Sequence, residues 1–352
     1  MAHAVSVASP RLAAVSGRPR PRRERDAPPP PRSMTTRASS SSPFPKRHWG
    51  DMTTAEFASC DKTRLIAVLP VGAIEQHGPH LPVCVDAAIN AGVLHKALEL
   101  LPADVPVCVL PAVPYGKSVE HDSFPGTVSL TSATLEAVWR DIGDSLAHSG
   151  VEKLVLFNSH GGQPQVMDIV ARDLRKRHAM LVVTCSWFSF GLPDDLFSGN
   201  ELKHGLHAGD VETSVMLHLH PELVQMEHSE NFKSTGETME RDFSKLAPEG
   251  GGVGFGWLAE DLNPAGATGD ATNATAEKGK ETVAHAAAQF VNLLNEVNTF
   301  DAACFFNKKS KGRYCGVSLR RVWNEDDGEQ EKKGKEKGQE EEKKNYKSHF
   351  AG

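Results

Sequence analysis

No apolar run in the chain reaches the roughly 18 to 20 residues that a membrane-spanning helix needs, so the sequence offers no transmembrane segment. Cysteine is scarce as well: six residues in 352, Cys60, Cys84, Cys108, Cys185, Cys304 and Cys315, none in C-x-x-C spacing. That scatter argues against a zinc ribbon or a disulfide-dense scaffold, and a reducing compartment is the default. A basic surplus is missing too. The formal net charge is −6 and the basic residues gather toward the two ends, so the middle of the chain carries no footprint for nucleic acid. A small-molecule or peptide substrate is the expectation.

The two ends also lack the pattern of folded protein. Residues 1–45 are rich in Arg, Ser, Pro and Ala, with acid only at Glu24 and Asp26, and the tract APPPPRS cannot be helical because proline has no amide donor. This segment reads as an organelle transit peptide, since the apolar core of a secretory signal is absent; a disordered tail of no address is the alternative. Its Ser and Pro content favours the chloroplast over mitochondrion or cytoplasm. Residues 306–352 mix both charge signs without an apolar period and read as a low-complexity tail. One domain of about 250 residues remains, over 46–305.

Inside that domain short β-branched runs alternate with helical spacing. RLIAVLPVG, VPVCVLPAV, VEKLVLFNS and AMLVVTCSW are each bounded by Gly, Pro or polar residues, as buried strands of a parallel sheet are. Between them, AAINAGVLHKALELL puts Ile89, Val93, Leu94, Ala97, Leu98 and Leu101 on one stripe, and comparable stripes run through SATLEAVWRDIGDSLAH and QVMDIVARDLRKR. A last helix is expected over TAEKGKETVAHAAAQFVNLLNEV. The alternation predicts an α/β fold: a three-layer sandwich, mostly parallel sheet with helices on both faces. Ligands of such folds bind at the carboxyl ends of the strands.

Polar clusters fall at those ends. EQHGPH follows the first strand, YGKSVEHDSFPGT the second, NSHGGQ the third, and HGLHAGDVETS lies beyond the fourth. Glu75 and His77 are two residues apart, which in extended chain points both to one side. Asp86 stands just before a helix, where an N-cap is an equal reading. With His160 at the same sheet edge, two carboxylates and two imidazoles suit a divalent ion such as Zn, Mn or Fe. In HAGDVETS, Asp210 and Thr213 resemble a helix start, which sets Glu212 in the first turn and His207 in the loop before it. Glu212 is then a candidate metal ligand and His207 a proton donor; an ordinary capping box is the alternative. His121 is a further candidate for proton transfer, substrate binding or orienting a ligand. Asn158 and Ser159 are expected to shape the strand end.

In order and spacing, PVGAIEQHGPHLPVCVDA, EHDSFPGTVSL, NSHGGQ, HAGDVETS and GATGDATNATAEKG resemble the successive motifs of the creatininase (creatinine amidohydrolase) family, over about 49–298. The resemblance implies a metal-dependent amidohydrolase with two divalent metal ions per subunit. In it Glu75 and His77 match ligands of different ions, Asp86 the carboxylate that bridges them, His160 the partner of Glu75, and His207 the proton-transferring histidine. His80 has no ligand role in the match and is expected to be a loop residue. The chain departs at Gly162, where creatinine-cleaving members carry a ligand glutamate; Glu212 is the candidate that completes the second ion's shell, as in relatives with the H-G-G form. That departure, and the lack of a clear counterpart near Trp187 for the tryptophans that close over creatinine, point away from creatinine itself. The expected substrate is a small-molecule amide or formamide, cleaved at a non-peptide C–N bond by a hydroxide bridging the metals. Family members that cleave formylaminopyrimidine nucleotides, or trim a short peptide during cofactor maturation, share the H-G-G pattern. Creatinine hydrolysis proper, a non-catalytic metal-binding homologue and a structural scaffold are the competing readings. The resemblance also implies a homo-oligomer, often a hexamer.

Overall fold

A computed structural model describes residue 44 and residues 46–248 and 253–302. The expected transit peptide, but for Phe44, and the charged tail lie outside the described residues. A short helix, α1 (Thr54–Ser59), opens with a reciprocal capping box between Thr53 and Glu56. β1 (Ile66–Val71) then leads to α2 (Val85–Leu100), and β2 (Val107–Val109) to α3 (Ser132–His148). β3 (Lys153–Asn158) leads to α4 (Pro164–His178), and β4 (Leu181–Ser186) to α5 (Gly199–His204) and α6 (Asp210–Leu219). A small antiparallel ribbon of β5 (Asn231–Phe232) and a later strand encloses α7 (Thr235–Asp242) and α8 (Ala259–Leu262). That strand is β6 (Gly269–Asp270), and α9 (Ala276–Thr299) follows it.

The main sheet is parallel, in the order β2-β1-β3-β4. Strand alternation decides its two faces. Ile66, Val68, Val155 and Phe157 face a layer made by α2, α6 and α9, while Ala67, Leu69, Leu154 and Leu156 face α3 and α4. The result is the expected three-layer sandwich. On the first face Phe157 stacks on Phe290 of α9 with ring centroids 4.3 Å apart, and burying each such side chain contributes about 1.5–3 kcal/mol. The predicted stripe of α2 is the buried one, with Ile89 and Val93 fully covered. Among the described residues no helix is long and apolar enough to cross a membrane.

Two features bring the polar clusters together. The order of strand addition reverses at β1, because the second strand lies on one side of it and the third on the other; this switch point opens a crevice between the ends of β1 and β3. Close helix packing then carries α6 to that crevice. A Cβ on Gly279 of α9 would run into the Ser214 backbone carbonyl of α6, so the bare glycine is what lets the two helices approach. The helix starts differ in detail from expectation. Asp86 is not the N-cap of α2: Cys84 is, and Asp86 sits in the first turn with its carboxylate left for other work. Likewise Gly209, not Asp210, caps α6, and the Asp210 carboxylate instead accepts from Ser214 and Lys278.

Candidate metal centre

Three segments converge on Glu75. Its Oε1 lies 3.2 Å from His160 Nδ1, 3.5 Å from His121 Nε2 and 3.9 Å from His207 Nδ1. Asp86 Oδ2 is 3.6 Å from the same His160 nitrogen, and His77 Nε2 is 3.8 Å from Glu212 Oε2. Sequence reasoning thus named seven residues that the fold gathers at one strand edge, from positions 75 to 212. Their ligand atoms fall into compact sets: Glu75, Asp86 and His160 in one, His77, His207 and Glu212 in another, and Glu75, His121 and His207 in a third.

The second nitrogen of each ring sorts these sets, because the proton sits where an acceptor holds it. His77 Nδ1 donates to the Glu75 carbonyl at 3.0 Å, and His160 Nε2 donates to the Lys117 carbonyl at 2.8 Å. Both rings therefore turn their other nitrogen toward the carboxylates, in the orientation of metal-ligating imidazoles. His121 is the opposite case. Its Nδ1 lies 2.7 Å from Gln76 Nε2, whose amide can only donate, so His121 carries its proton on Nε2, facing Glu75. In that tautomer its N–H faces the carboxylate across 3.5 Å and it has no lone pair for a metal. His207 donates through Nε2 to the Gln76 carbonyl at 2.7 Å, leaving Nδ1 toward the site.

Burial sets the charges. Desolvation works to raise the Glu75 carboxyl, but the surrounding imidazoles, His160 first, hold it well below the ordinary range. Asp86 is pushed well above its usual value by burial and then by the Glu75 charge, and Glu212 is raised by burial. Burial alone would lower His160, yet Glu75 and Asp86 carry it up to about 10. A positive charge therefore belongs between these groups, and a proton or a divalent ion can supply it. Burial and the neighbouring His207 push His77 well below its ordinary value, and the same two causes bring His121 down to about 3, so both rings are neutral at pH 7.

A test of fit comes from atoms left without partners. Glu75 Oε2, His77 Nε2 and Asp86 Oδ2 are buried and have no hydrogen-bond partner, a condition that costs about 1–3 kcal/mol per group and more for charged groups. A divalent ion satisfies such atoms, and a donor set of carboxylate oxygen and imidazole nitrogen suits zinc, manganese or iron. Glu212 is placed by local strain: Ala208 adopts a left-handed φ of 56°, and its amide donates to Glu212 Oε2 at 2.7 Å.

His80 does lie in a turn, but it is fully buried. Its Nε2 lies 2.9 Å from Thr213 Oγ1 and its ring stacks on Phe232, so it ties the loop after β1 to α6. Asn158 bonds His160 through both its amide and its carbonyl oxygen, and Ser186 through its amide, fixing the strand end. The site opens into a cavity of about 720 Å³. Its aromatic lining, Trp187, Phe188, Phe255 and Trp257, was not legible in the sequence, where these residues belong to no polar cluster.

Fold and donor set together define a three-layer α/β protein with a candidate divalent-metal centre at its strand ends. The chain belongs to the creatininase family of hydrolases acting on carbon–nitrogen bonds: the family model described as creatinine amidohydrolase matches residues 50–294. It is 34% identical over 223 residues to the mycofactocin precursor peptide peptidase of Mycolicibacterium smegmatis, covering 62% of this chain and 80% of that one. Against the creatinine amidohydrolase of Pseudomonas putida it is 34% identical over 198 residues, 51% of this chain and 74% of the relative. A solved creatininase variant of Zn–Zn type superposes with a TM-score of 0.58 at 26% identity, over 74% of this chain and 100% of that one.

Proposed function

We propose that the protein is a two-metal amidohydrolase that opens an amide C–N bond in a substrate larger than creatinine. Buried and unpartnered Glu75 Oε2, His77 Nε2 and Asp86 Oδ2 carry this reading, since they are metal-ligating atoms that a divalent cation at the strand edge would satisfy together. Glu75, Asp86 and His160 would hold one ion, and His77 and Glu212 the other. Asp86, packed with Glu75 and His160, would be the carboxylate shared with the second ion, as the family resemblance implies. Bound there, divalent ions supply Lewis-acid polarisation of the amide carbonyl and lower the pKa of a coordinated water.

The chain's own residues handle the protons. In hydrolysis the water oxygen bonds to the carbonyl carbon, the C–N bond breaks, and a proton must reach the departing nitrogen. His207, its Nε2 proton held by the Gln76 carbonyl and its bare Nδ1 turned toward Glu75, would take the proton that water loses on attack and pass it to that nitrogen. His121 turns its Nε2 proton toward Glu75 from 3.5 Å and would support the charge of that carboxylate. Size supports the substrate reading: about 720 Å³ lies within the range of pockets for drug-sized ligands, and the M. smegmatis relative is named a peptide peptidase.

Metal analysis of the purified protein, followed by a panel of amides, formamides, short peptides and creatinine, tests the proposal. Two ions per chain and turnover of the larger amides are expected. Efficient creatinine cleavage with no activity on larger amides would reverse the substrate reading.

A further inference from the structure

The carboxylate absent from position 162 has been replaced in space by another. A Cβ built on Gly162 would overlap Glu120 Oε1 and stand 2.6 Å from His160 Nε2. Glu120 thus reaches into the room that the bare glycine leaves, and there it lines the cavity. It lies on the far side of His160 from the metal ligands: its Oε1 is 3.8 Å from Nε2, while Nδ1 of that ring faces Glu75 at 3.2 Å. Glu120 therefore does not stand in for the missing ligand. One imidazole ring separates it from the reacting centre.

Glu120 is paired with Lys117. The ammonium sits 3.3 Å from Glu120 Oε2 and 3.3 Å from the Gly162 carbonyl, and both side chains line the cavity. These contacts are long for charge-assisted hydrogen bonds, which run about 2.7–2.9 Å. They hold the pair in place and leave each partner able to take a better one. With the side chains 25% and 13% exposed, the pair is screened from bulk water but reachable from the cavity.

We propose that Lys117 and Glu120 anchor the substrate, an inference that rests on the amidohydrolase reading of the neighbouring site. An ammonium donor beside a carboxylate acceptor complements a group that presents an acceptor and a donor side by side, and a second amide does so through its C=O and N–H. The substrate class is then a peptide-like molecule with one amide at the metal centre and another on this pair. The aromatic lining of the cavity supplies room for an apolar side chain between or beyond them.

The test uses full-length protein loaded with zinc, N-acetylphenylalanine N-methylamide as a two-amide probe, and acetamide as a one-amide probe. Lys117→Met and Glu120→Gln keep the side-chain volumes and remove the charges. Wild type is expected to bind the two-amide probe more tightly than acetamide by calorimetry. Each variant should weaken that binding about tenfold or more while leaving acetamide binding and the metal content unchanged. Where the probe is cleaved, KM should rise with kcat nearly constant. Equal affinity of variants and wild type for the two-amide probe, or no binding by wild type, would overturn the anchor. So would loss of metal from Glu120→Gln, which would assign that carboxylate to His160 instead. Charge-dependent binding without cleavage of any amide would uphold the anchor and sink the amidohydrolase reading.

Discussion

His77 and Glu212 meet across 3.8 Å, one from the loop after β1 and the other from the first turn of α6. They are 135 positions apart, yet each is held from behind by the backbone, His77 by the Glu75 carbonyl and Glu212 by the Ala208 amide. Such support from the surrounding backbone is what keeps ligands oriented before a metal arrives.

Glu212→Ala should therefore remove an ion as well as activity. Loss of an orienting neighbour already costs metal sites about 10- to 100-fold in affinity or rate, and loss of a ligand should cost at least that. Metal content by atomic emission is expected to fall toward one per chain. Full retention of both ions and of kcat/KM would remove Glu212 from the site.

Gln76→Leu separates proton handling from metal binding. The side chain fixes the His121 tautomer while the main-chain carbonyl, which the substitution keeps, still holds His207. We expect kcat to drop about tenfold or more with metal content intact. An unchanged kcat would mean that the orientation of His121 is unimportant to turnover.

Acid should destabilise the protein through His80. Burial brings this ring down to about 4, below its ordinary 6.5, so the folded state binds fewer protons than the unfolded one between those values. The sign follows: its contribution is fully present above pH 6.5 and is lost as pH falls toward 4. Thermal melts of wild type should show Tm falling through that window, and His80→Gln should flatten the fall by a few degrees. Parallel pH profiles of the two proteins would show that His80 does not carry the effect.

Gly279→Ala tests the approach of α6 to α9. The added methyl meets the Ser214 carbonyl, a backbone atom that cannot swing aside. Overpacking of this kind costs about 1–3 kcal/mol, readable in a urea titration. Because α6 carries Glu212, weaker metal retention should accompany it. A neutral result in both assays would show that the helices part without cost.

Much of the fold was written in local pattern. The short apolar runs in RLIAVLPVG and VEKLVLFNS marked buried parallel strands, and the stripe from Ile89 to Leu101 marked the buried side of α2, because burial follows such local patterns directly. Cap positions were less legible. Several residues near a helix start can serve, and the structure has Cys84 rather than Asp86 and Gly209 rather than Asp210, whose carboxylate is taken by Ser214 and Lys278.

For the site, the sequence by itself offered the candidate donor set: Glu75, His77, Asp86, His160 and Glu212, with His121 and His207 beside them, all near strand ends of an α/β sheet. Side-chain chemistry, strand order and the resemblance of the successive motifs to one family named those candidates together. Only the tertiary structure decided which nitrogen of each imidazole is bare, since the proton follows a backbone carbonyl or amide from a distant segment. It also decided that His80 is buried, that Phe255 and Trp257 share a cavity with Phe188, and that Glu120 fills the space Gly162 leaves. These are long-range juxtapositions fixed by how the layers pack, and no period within the chain encodes them.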